Sequence, residues 1–165
     1  MVDDGEGREI TIFSVRSKMY VMEKGVGWKE RGGGMLKVNV PKSTVDIDDN
    51  GVPDASSFDP SVLDDDDEGR KHVRLIMRQD HTLRVILNTV ILPAMTFQVT
   101  HKLKSATVLF TAFEGGEAKQ VQMKVRLHLP HIVGAIYANV VQLSEANATA
   151  FSQLVEMLKK QLADV

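Results

Sequence analysis

The sequence predicts a mainly β fold, in which seven antiparallel strands form a sandwich or barrel and one α-helix follows at the C-terminus. Between residues 10 and 127, apolar side chains alternate with polar ones over short segments separated by turn-forming residues. A period of two indicates strands with one buried face. Between residues 144 and 162 the period changes to 3.6, which indicates an amphipathic helix that covers an open end of the sheet.

The strand assignments follow this alternation along the chain. The first strand spans residues 10–23, and a second begins at Trp28 and is expected to end at Gly32–Gly34, because glycine permits positive φ. Another strand ends at Pro41, which has no backbone N–H to donate. The alternation returns at residues 73–78, 83–88, 95–101, 105–113 and 119–127, so eight alternating segments are available for the predicted seven-stranded fold. The apolar face of the helix consists of Phe151, Leu154, Leu158 and Leu162, and Ser144 is its predicted N-cap.

The segment from Trp28 to Arg31 carries the only tryptophan of the chain. Successive strand residues point to opposite sides of a sheet, so Trp28 and Glu30 face one side while Lys29 and Arg31 face the other. One interpretation is that Trp28 is a half-buried residue on an ordinary strand. The alternating charges provide a candidate contact surface for a partner.

The charges are distributed unevenly along the chain, although the net charge is only −2. Residues 43–69 contain ten acidic side chains and no Lys or Arg, so the rest of the chain has an excess of eight bases. A basic body attracts an anionic partner, such as nucleic acid or an acidic peptide. Aromatic residues make up 5% of the chain, which argues against nucleic acid because base stacking requires aromatic side chains.

One domain, residues 10–162, is therefore expected, with two insertions and a short N-terminal extension. Residues 1–9 are predicted to form a mobile acidic lead-in, and residues 43–69 a disordered acidic insertion, because dense like charge opposes burial. The second insertion, residues 128–143, is apolar and uncharged apart from two histidines. It forms either an extra helix packed on the sandwich or the translation product of a retained intron.

Several function classes are excluded by composition and motif. The chain has no cysteine, so neither a disulfide nor a thiolate metal site is possible. It has no apolar run long enough to span a bilayer, so no membrane partner is expected. The residues from Asp46 to Gly51 match the first half of a calcium loop, but Ser57 stands where the bidentate Glu is needed. No catalytic grouping of Ser, His and Asp has a recognisable motif, so no enzyme and no metal site is predicted.

Four segments resemble, in order, the signature of the Ran-binding domain. They are Val15-Arg16-Ser17-Lys18-Met19-Tyr20, Trp28-Lys29-Glu30-Arg31-Gly32, Arg74-Leu75-Ile76-Met77-Arg78 and Leu83-Arg84-Val85-Ile86-Leu87-Asn88. The resemblance implies a pleckstrin-homology-like fold, in agreement with the predicted strands and helix. Within the family, the branch of Ran-binding protein 3 and its fungal export-cofactor relatives is the most similar.

The resemblance implies a module that binds the small GTPase Ran in its GTP form, in the nucleus or at the nuclear pore, as an export cofactor in nucleocytoplasmic transport. The alternatives are the Ran-binding domain of a nucleoporin, or a pleckstrin-homology-like module for phosphoinositides or other peptides. GTP and Mg²⁺ would be bound by the partner, so this chain needs no cofactor of its own. An exportin would be engaged, if at all, through parts outside this chain.

In the family, the acidic C-terminal tail of the GTPase lies along a basic face, and the domain's acidic N-terminal arm reaches the GTPase. The resemblance therefore implies six basic contact residues: Arg16, Lys18, Lys29, Arg31, Arg74 and Arg78. It adds four further candidates, which are Trp28 as a packing residue, Glu30, Asn88 and the apolar Met95. Gln79 and His81 stand where tightly binding members carry basic residues, so weaker binding to Ran alone is expected. The acidic insertion would either mask the basic face or act as a solvated spacer.

Overall fold

The computed structural model describes residues 8–63, 73–102, 105–114, 117–126 and 135–164. One seven-stranded antiparallel sheet, with the order β6-β5-β2-β1-β9-β8-β7, dominates the fold. Its strands are β1 (Glu9–Glu23), β2 (Gly27–Pro41), β5 (Arg74–Gln79), β6 (Val85–Val90), β7 (Gln98–Lys102), β8 (Ser105–Glu114) and β9 (Glu117–Arg126). A small hairpin of β3 (Asp46–Ile47) and β4 (Pro53–Asp54) lies between β2 and β5, and α1 (Ala135–Ala163) follows. The predicted mainly β fold with a C-terminal helix is confirmed.

The sheet bends so that its two halves face each other, but it does not close into a barrel, since β6 and β7 remain its two edges. Strands β6 and β8 meet across the interior, where the backbone N–H of Phe113 donates to Oγ1 of Thr89 at 2.9 Å. The core between the halves is apolar and fully buried at its centre. It includes Met19, Leu36, Val38, Leu75, Met77, Leu87, Val108 and Met123.

Helix α1 covers the side of the core formed by β7, β8 and β9. Phe151 is 2% exposed, and its ring centroid lies 6.0 Å from those of Phe13 and Phe97. Val155 and Leu158 continue the buried face one and two turns later, at the spacing of an amphipathic helix. The predicted apolar stripe is therefore correct at Phe151 and Leu158, while Leu154 and Leu162 are only partly buried at its margin.

The helix begins nine residues earlier than the sequence pattern indicated. Residues 135–143 of the second insertion belong to α1, so Ser144 lies inside the helix and the prediction that it is the N-cap is wrong. The backbone of these residues is the first part of the C-terminal helix and not a separate helix. Residues 128–134 lie outside the described part of the chain, and the intron interpretation, which concerns the transcript, stays a hypothesis.

The glycine run does not end the second strand, contrary to prediction. β2 continues from Gly27 to Pro41, and the register with β1 shifts where Gly32 stands opposite Met19. Gly32 has a φ of 150°, a conformation that a side chain would strain, and the bulge bends the strand at this point. Gly34 permits a close approach to β5, because a Cβ at this position would overlap the carbonyl oxygen of Arg78. The glycines therefore shape one long strand.

The prediction that the acidic insertion is disordered is wrong for residues 43–63. This segment forms three short 3₁₀ turns around the β3–β4 hairpin and places Phe58, which is 5% exposed, in the core. The carboxylate of Asp48 accepts the backbone N–H groups of Asn50 and Val52, so the calcium-like pattern encodes a turn. Hydrogen bonds from the hydroxyl and backbone N–H of Ser61 lower the pKa of Asp59. Residues 64–69 lie outside the described ranges.

We expect Gly34→Ala to lower the free energy of unfolding by about 2 kcal/mol, because β2 and β5 must separate to admit the methyl group. Gly33→Ala is the matched control, since a Cβ at Gly33 would meet only the backbone oxygen of Ser17 at 3.7 Å, which is ordinary contact. Chemical denaturation of both variants measures the difference. Equal stability of the two variants would contradict the close approach.

Candidate partner-binding surface

The side of the sheet that points away from the core, here called the outer face, carries a row of cations on three adjacent strands. Cross-strand partners share one face of a sheet. Arg16 of β1 is registered with Met35 of β2, which in turn is registered with Arg78 of β5. Lys18 lies one position further along the same face of β1. Alternation along β2 and β5 adds Lys37 and Arg74. The outer face thus gathers four of the six predicted cations, with Lys37 as an addition.

A groove of about 270 Å³ crosses the outer face between β2 and the β5–β6 turn. Among its lining residues Met35 is apolar and partly exposed, Ile76 is only 5% exposed, and Lys37 and Arg78 supply cations. Its other lining residues are Glu9, Thr11, Asn39, Gln79, Asp80 and Leu83. A groove with apolar and cationic groups side by side is suited to an extended peptide that combines carboxylates with an apolar side chain.

Two of the predicted cations already have carboxylate neighbours on this surface. Nη1 of Arg16 lies 2.7 Å from Oδ2 of Asp80, and Nζ of Lys18 lies 3.1 Å from Oε1 of Glu30. Both pairs are well exposed, so each stabilises the domain by about 1 kcal/mol or less. An incoming acidic group can therefore replace either carboxylate at little cost.

Lys37 is a functional candidate that the sequence analysis missed. It is exposed, and among the described residues no carboxylate forms an ion pair with it. The signal was present in the sequence, because Lys37 alternates with the buried Leu36 and Val38 on β2. It lay outside the four family-like segments and was therefore not included.

Arg74 differs from the other cations because it is largely buried. Its Nε and Nη2 donate to Oε1 and Oε2 of Glu9, both at 2.8 Å, and the two side chains are 17% and 13% exposed. Nη1 of Arg74 also donates to Oδ1 of Asn88 at 3.3 Å. Glu9 was assigned to the mobile lead-in, but it is the first residue of β1, so the boundary of the lead-in is corrected. Residues 1–7 lie outside the described ranges.

Lys29 and Arg31 lie on the opposite side of β2, as the alternation predicted. Nζ of Lys29 is 3.7 Å from Oε2 of Glu23, and Nη1 of Arg31 donates to the carbonyl oxygen of Ile86 at 3.1 Å. Arg31 borders a separate cleft of about 420 Å³ beside β6, together with Arg84, Val85, Ile86, Leu87, Asn88 and Phe113. The six predicted cations are thus not brought together on one surface.

The two apolar candidates differ in exposure, and Trp28 is half-buried on a strand, as expected. Trp28 is 39% exposed and is registered with Met22, which is 38% exposed, so it covers the hairpin only in part. Met95 is 5% exposed and belongs to the core, and its sulfur accepts the backbone N–H of Leu92 at 3.2 Å. The assignment of Met95 as a partner contact stays a prediction, although almost none of its surface is accessible in the free domain.

The turn between β5 and β6 contains a strained and exposed leucine. Leu83 was assigned to a strand, but β6 begins only at Val85, and Leu83 has a φ of 56°. Its side chain is 66% exposed and lines the groove. Positive φ costs a branched residue about 1–2 kcal/mol, so an exposed leucine in this conformation marks a candidate contact residue.

Neither a metal site nor a membrane-spanning helix is present in the part of the chain that the structure describes. No group of three His, Asp or Glu side chains is placed there to hold a metal ion. No helix within the same ranges is both long and apolar enough to cross a bilayer.

Sequence comparison identifies the family. The model of the RanBP1 domain matches residues 61–147, which is just over half of the chain. The chain belongs to the RanBP1-domain family. Nucleoporin NUP56 of Chaetomium thermophilum is 65% identical over 162 residues, which cover 98% of this chain and 27% of that protein. The human E3 SUMO-protein ligase RanBP2 is 33% identical over 134 residues, which cover 79% of this chain and 3% of that protein.

A solved structure supports the fold of this RanBP1 domain. The Ran-binding domain of the nuclear pore complex component NUP2 from Ashbya gossypii superposes with a TM-score of 0.55 at 16% identity, covering 92% of this chain and 98% of that one. The fold is therefore the pleckstrin-homology-like fold of Ran-binding domains, as the sequence analysis expected. The chain spans about a quarter of the Chaetomium relative, and a much smaller share of the human one.

Leu83→Gly is expected to be more stable than Leu83→Ala by about 1 kcal/mol, because only glycine relieves the positive φ. Both variants remove the exposed side chain, so the comparison isolates the backbone. Thermal or denaturant unfolding measures the difference. An alanine variant as stable as the glycine variant would show that the turn is not strained.

Proposed function

We propose that this RanBP1 domain binds the small GTPase Ran in its GTP form and acts in nucleocytoplasmic transport. The observation that carries the proposal is the outer-face groove, where Lys37 and Arg78 stand beside the apolar Met35 and the exposed Leu83. An acidic tail of the GTPase would lie in this groove, with its carboxylates near the cations. Family membership supports the choice of partner, since relatives in the family are named for Ran binding.

The arrangement of charges supports a binding mode in which carboxylates of the partner replace carboxylates of the domain. Asp80 and Glu30 hold Arg16 and Lys18 in exposed pairs, and an acidic tail would take their place. Each exchange replaces one weak surface pair by another, so the net gain is small and depends on salt. Lys37 would contribute more, because among the described residues no carboxylate has to be displaced from it. Association should therefore weaken as the salt concentration rises.

A nucleoporin-type parent protein is the setting that the relatives favour. NUP56 of Chaetomium thermophilum, at 65% identity, carries the name of a nucleoporin, so we place the domain at the nuclear pore. A role as an export cofactor, with an exportin bound by parts outside this chain, is the second candidate. In both settings the chain acts as a binding module and not as an enzyme, and GTP and Mg²⁺ stay with the partner.

The test is a titration of the full chain with Ran loaded with a non-hydrolysable GTP analogue, and in parallel with Ran loaded with GDP. We expect binding to the first and at least about tenfold weaker binding to the second. Lys37→Glu should weaken binding to the GTP form about tenfold, because it reverses the charge in the groove. Equal binding of both nucleotide forms would contradict the proposal, and so would a failure of both forms to bind.

Lys160→Glu is the matched control for Lys37→Glu. Lys160 is exposed on α1, which covers the other half of the sheet, and its reversal changes the net charge by the same amount. An equal loss of binding in both variants would show that net charge, and not the groove, attracts the partner. Saturable binding of the chain to vesicles with one phosphoinositide, lost in Lys37→Glu, would favour a lipid as the ligand of this face.

A further inference from the structure

The β1–β2 hairpin extends beyond the rest of the sheet as a two-stranded ribbon. The ladder of β1 with β9 covers residues 18–21, and the ladder of β2 with β5 begins at Gly34. Residues 22–29, here called the hairpin tip, pair within the hairpin, and no third strand of the described ranges flanks them. Side chains on both faces of such a ribbon are open to solvent or to a partner.

Three large apolar side chains are exposed at the hairpin tip. Met22 and Trp28 are cross-strand partners on one face of the ribbon, and they are 38% and 39% exposed. Val26, in the turn, is 70% exposed, which makes it the most exposed large apolar residue of the described ranges. The backbone N–H of Val26 donates to the carbonyl oxygen of Glu23 at 3.0 Å, so the turn holds this residue in a defined position. An apolar cluster fixed at a protruding tip marks a contact surface.

Basic residues accompany the apolar side chains of the ribbon. Residues 18–31 contain four bases and two acids. Both acids are paired with lysines, since Glu23 lies 3.7 Å from Lys29 and Glu30 lies 3.1 Å from Lys18. Lys24 stands exposed in the turn, and no carboxylate of the described ranges forms an ion pair with it. The end of the ribbon therefore combines apolar surface with positive charge.

The size and shape of the hairpin tip favour a lipid surface over a second protein. A stable protein partner typically covers about 800 Å² on each side, which is a broad surface and not the narrow end of a ribbon. Contact with a bilayer requires less, because apolar side chains enter the headgroup region to a depth of about 5–10 Å. Val26 lies two residues beyond Trp28, so insertion as far as Trp28 corresponds to about 7 Å.

We propose that the hairpin tip docks on an anionic lipid surface. Val26 and Met22 enter the headgroup region, Trp28 lies at the interface with water, and Lys24 attracts the anionic headgroups. The sequence predicted no membrane partner because no apolar run spans a bilayer, but a peripheral contact needs only exposed side chains. The inference goes beyond binding of Ran and does not rest on it.

Trp28 reports on this contact directly, because it is the only tryptophan of the chain. The full chain is titrated with vesicles of phosphatidylcholine that contain phosphatidylserine, and in parallel with vesicles of phosphatidylcholine alone. With the anionic vesicles we expect the emission of Trp28 to shift to shorter wavelength and to be quenched by brominated lipid. Neutral vesicles should bind at least about fivefold more weakly, because they offer no anionic headgroup. An unchanged emission, or equal binding of both kinds of vesicle, would overturn the proposal.

Val26→Asp tests insertion of the apolar side chain. We expect binding to the anionic vesicles to weaken at least about tenfold, because a charge replaces the apolar group at the point of entry. Val62→Asp is the matched control, since Val62 is 53% exposed on the 3₁₀ turn of residues 60–62 and the substitution is the same. The control should bind as the native chain does. An equal loss in both variants would show that the hairpin tip is not the point of contact.

Lys24→Glu tests the electrostatic contribution, with Lys160→Glu as its control. At low salt the first variant should bind the anionic vesicles about tenfold more weakly and the second less than about twofold more weakly, because only Lys24 lies at the hairpin tip. Equal effects of the two variants would contradict the docking geometry. Selective binding of one phosphoinositide, over phosphatidylserine vesicles of equal charge, would indicate a headgroup pocket and overturn the proposal.

The two proposals fail separately. Neither Val26 nor Lys24 is among the residues that line the outer-face groove. A native chain that binds Ran in its GTP form but not the anionic vesicles would refute the lipid contact alone. A native chain that binds the vesicles through Val26 but does not bind Ran would support the lipid contact and refute the proposed function alone.

Discussion

The pairing of β1 with β2 is the constraint on which the rest of the structure depends. Each strand has fifteen residues, and together they form the centre of the seven-stranded sheet. Because side chains alternate along both strands, this one register puts Met19 and Leu36 in the core and Arg16 and Lys37 on the outer face. A slip by one residue would exchange the two sets, so packing of the core fixes the geometry of the basic surface.

Carboxylates of the domain itself pair with several cations of the basic surface. Asp80 and Glu30 pair with cations in exposed positions, whereas Glu9 holds Arg74 in a position shielded from water. An ion pair between a carboxylate and a Lys or Arg therefore has a different effect when it is exposed and when it is buried. Exposed pairs leave the surface able to exchange partners, and the buried pair fixes the architecture. This division explains how one face can be both stable and rich in exposed charged groups.

Periodicity was sufficient to predict the strands and the helix, because burial of one face dominates both patterns. It failed where the backbone departs from regular geometry. Gly32–Gly34 bend β2 without ending it, and Leu83 lies in a turn at positive φ, although alternation assigned it to a strand. The amphipathic period could not locate the start of α1, since residues 128–143 contain no Asp, Glu, Lys or Arg to mark a polar face.

The candidate surface was less predictable than the fold, since it depends on contacts between distant segments. The family resemblance indicated four of the five cations of the outer face, but it could not reveal that Glu9, 65 residues away in the sequence, pairs with Arg74. Nor could the sequence show that Met95 is a core residue, because an apolar side chain after Pro93 suits either a surface contact or the interior. Lys37 was overlooked because it lies between family-like segments.

The central claim is that the partner binds across the outer face of β1, β2 and β5. Amide hydrogen–deuterium exchange of the full chain, with and without Ran loaded with a GTP analogue, tests this claim most directly. We predict added protection in the β5–β6 turn, residues 79–84, and in residues 34–39 of β2, which together surround the groove. Protection confined to β7 and α1, with none around the groove, would contradict the account.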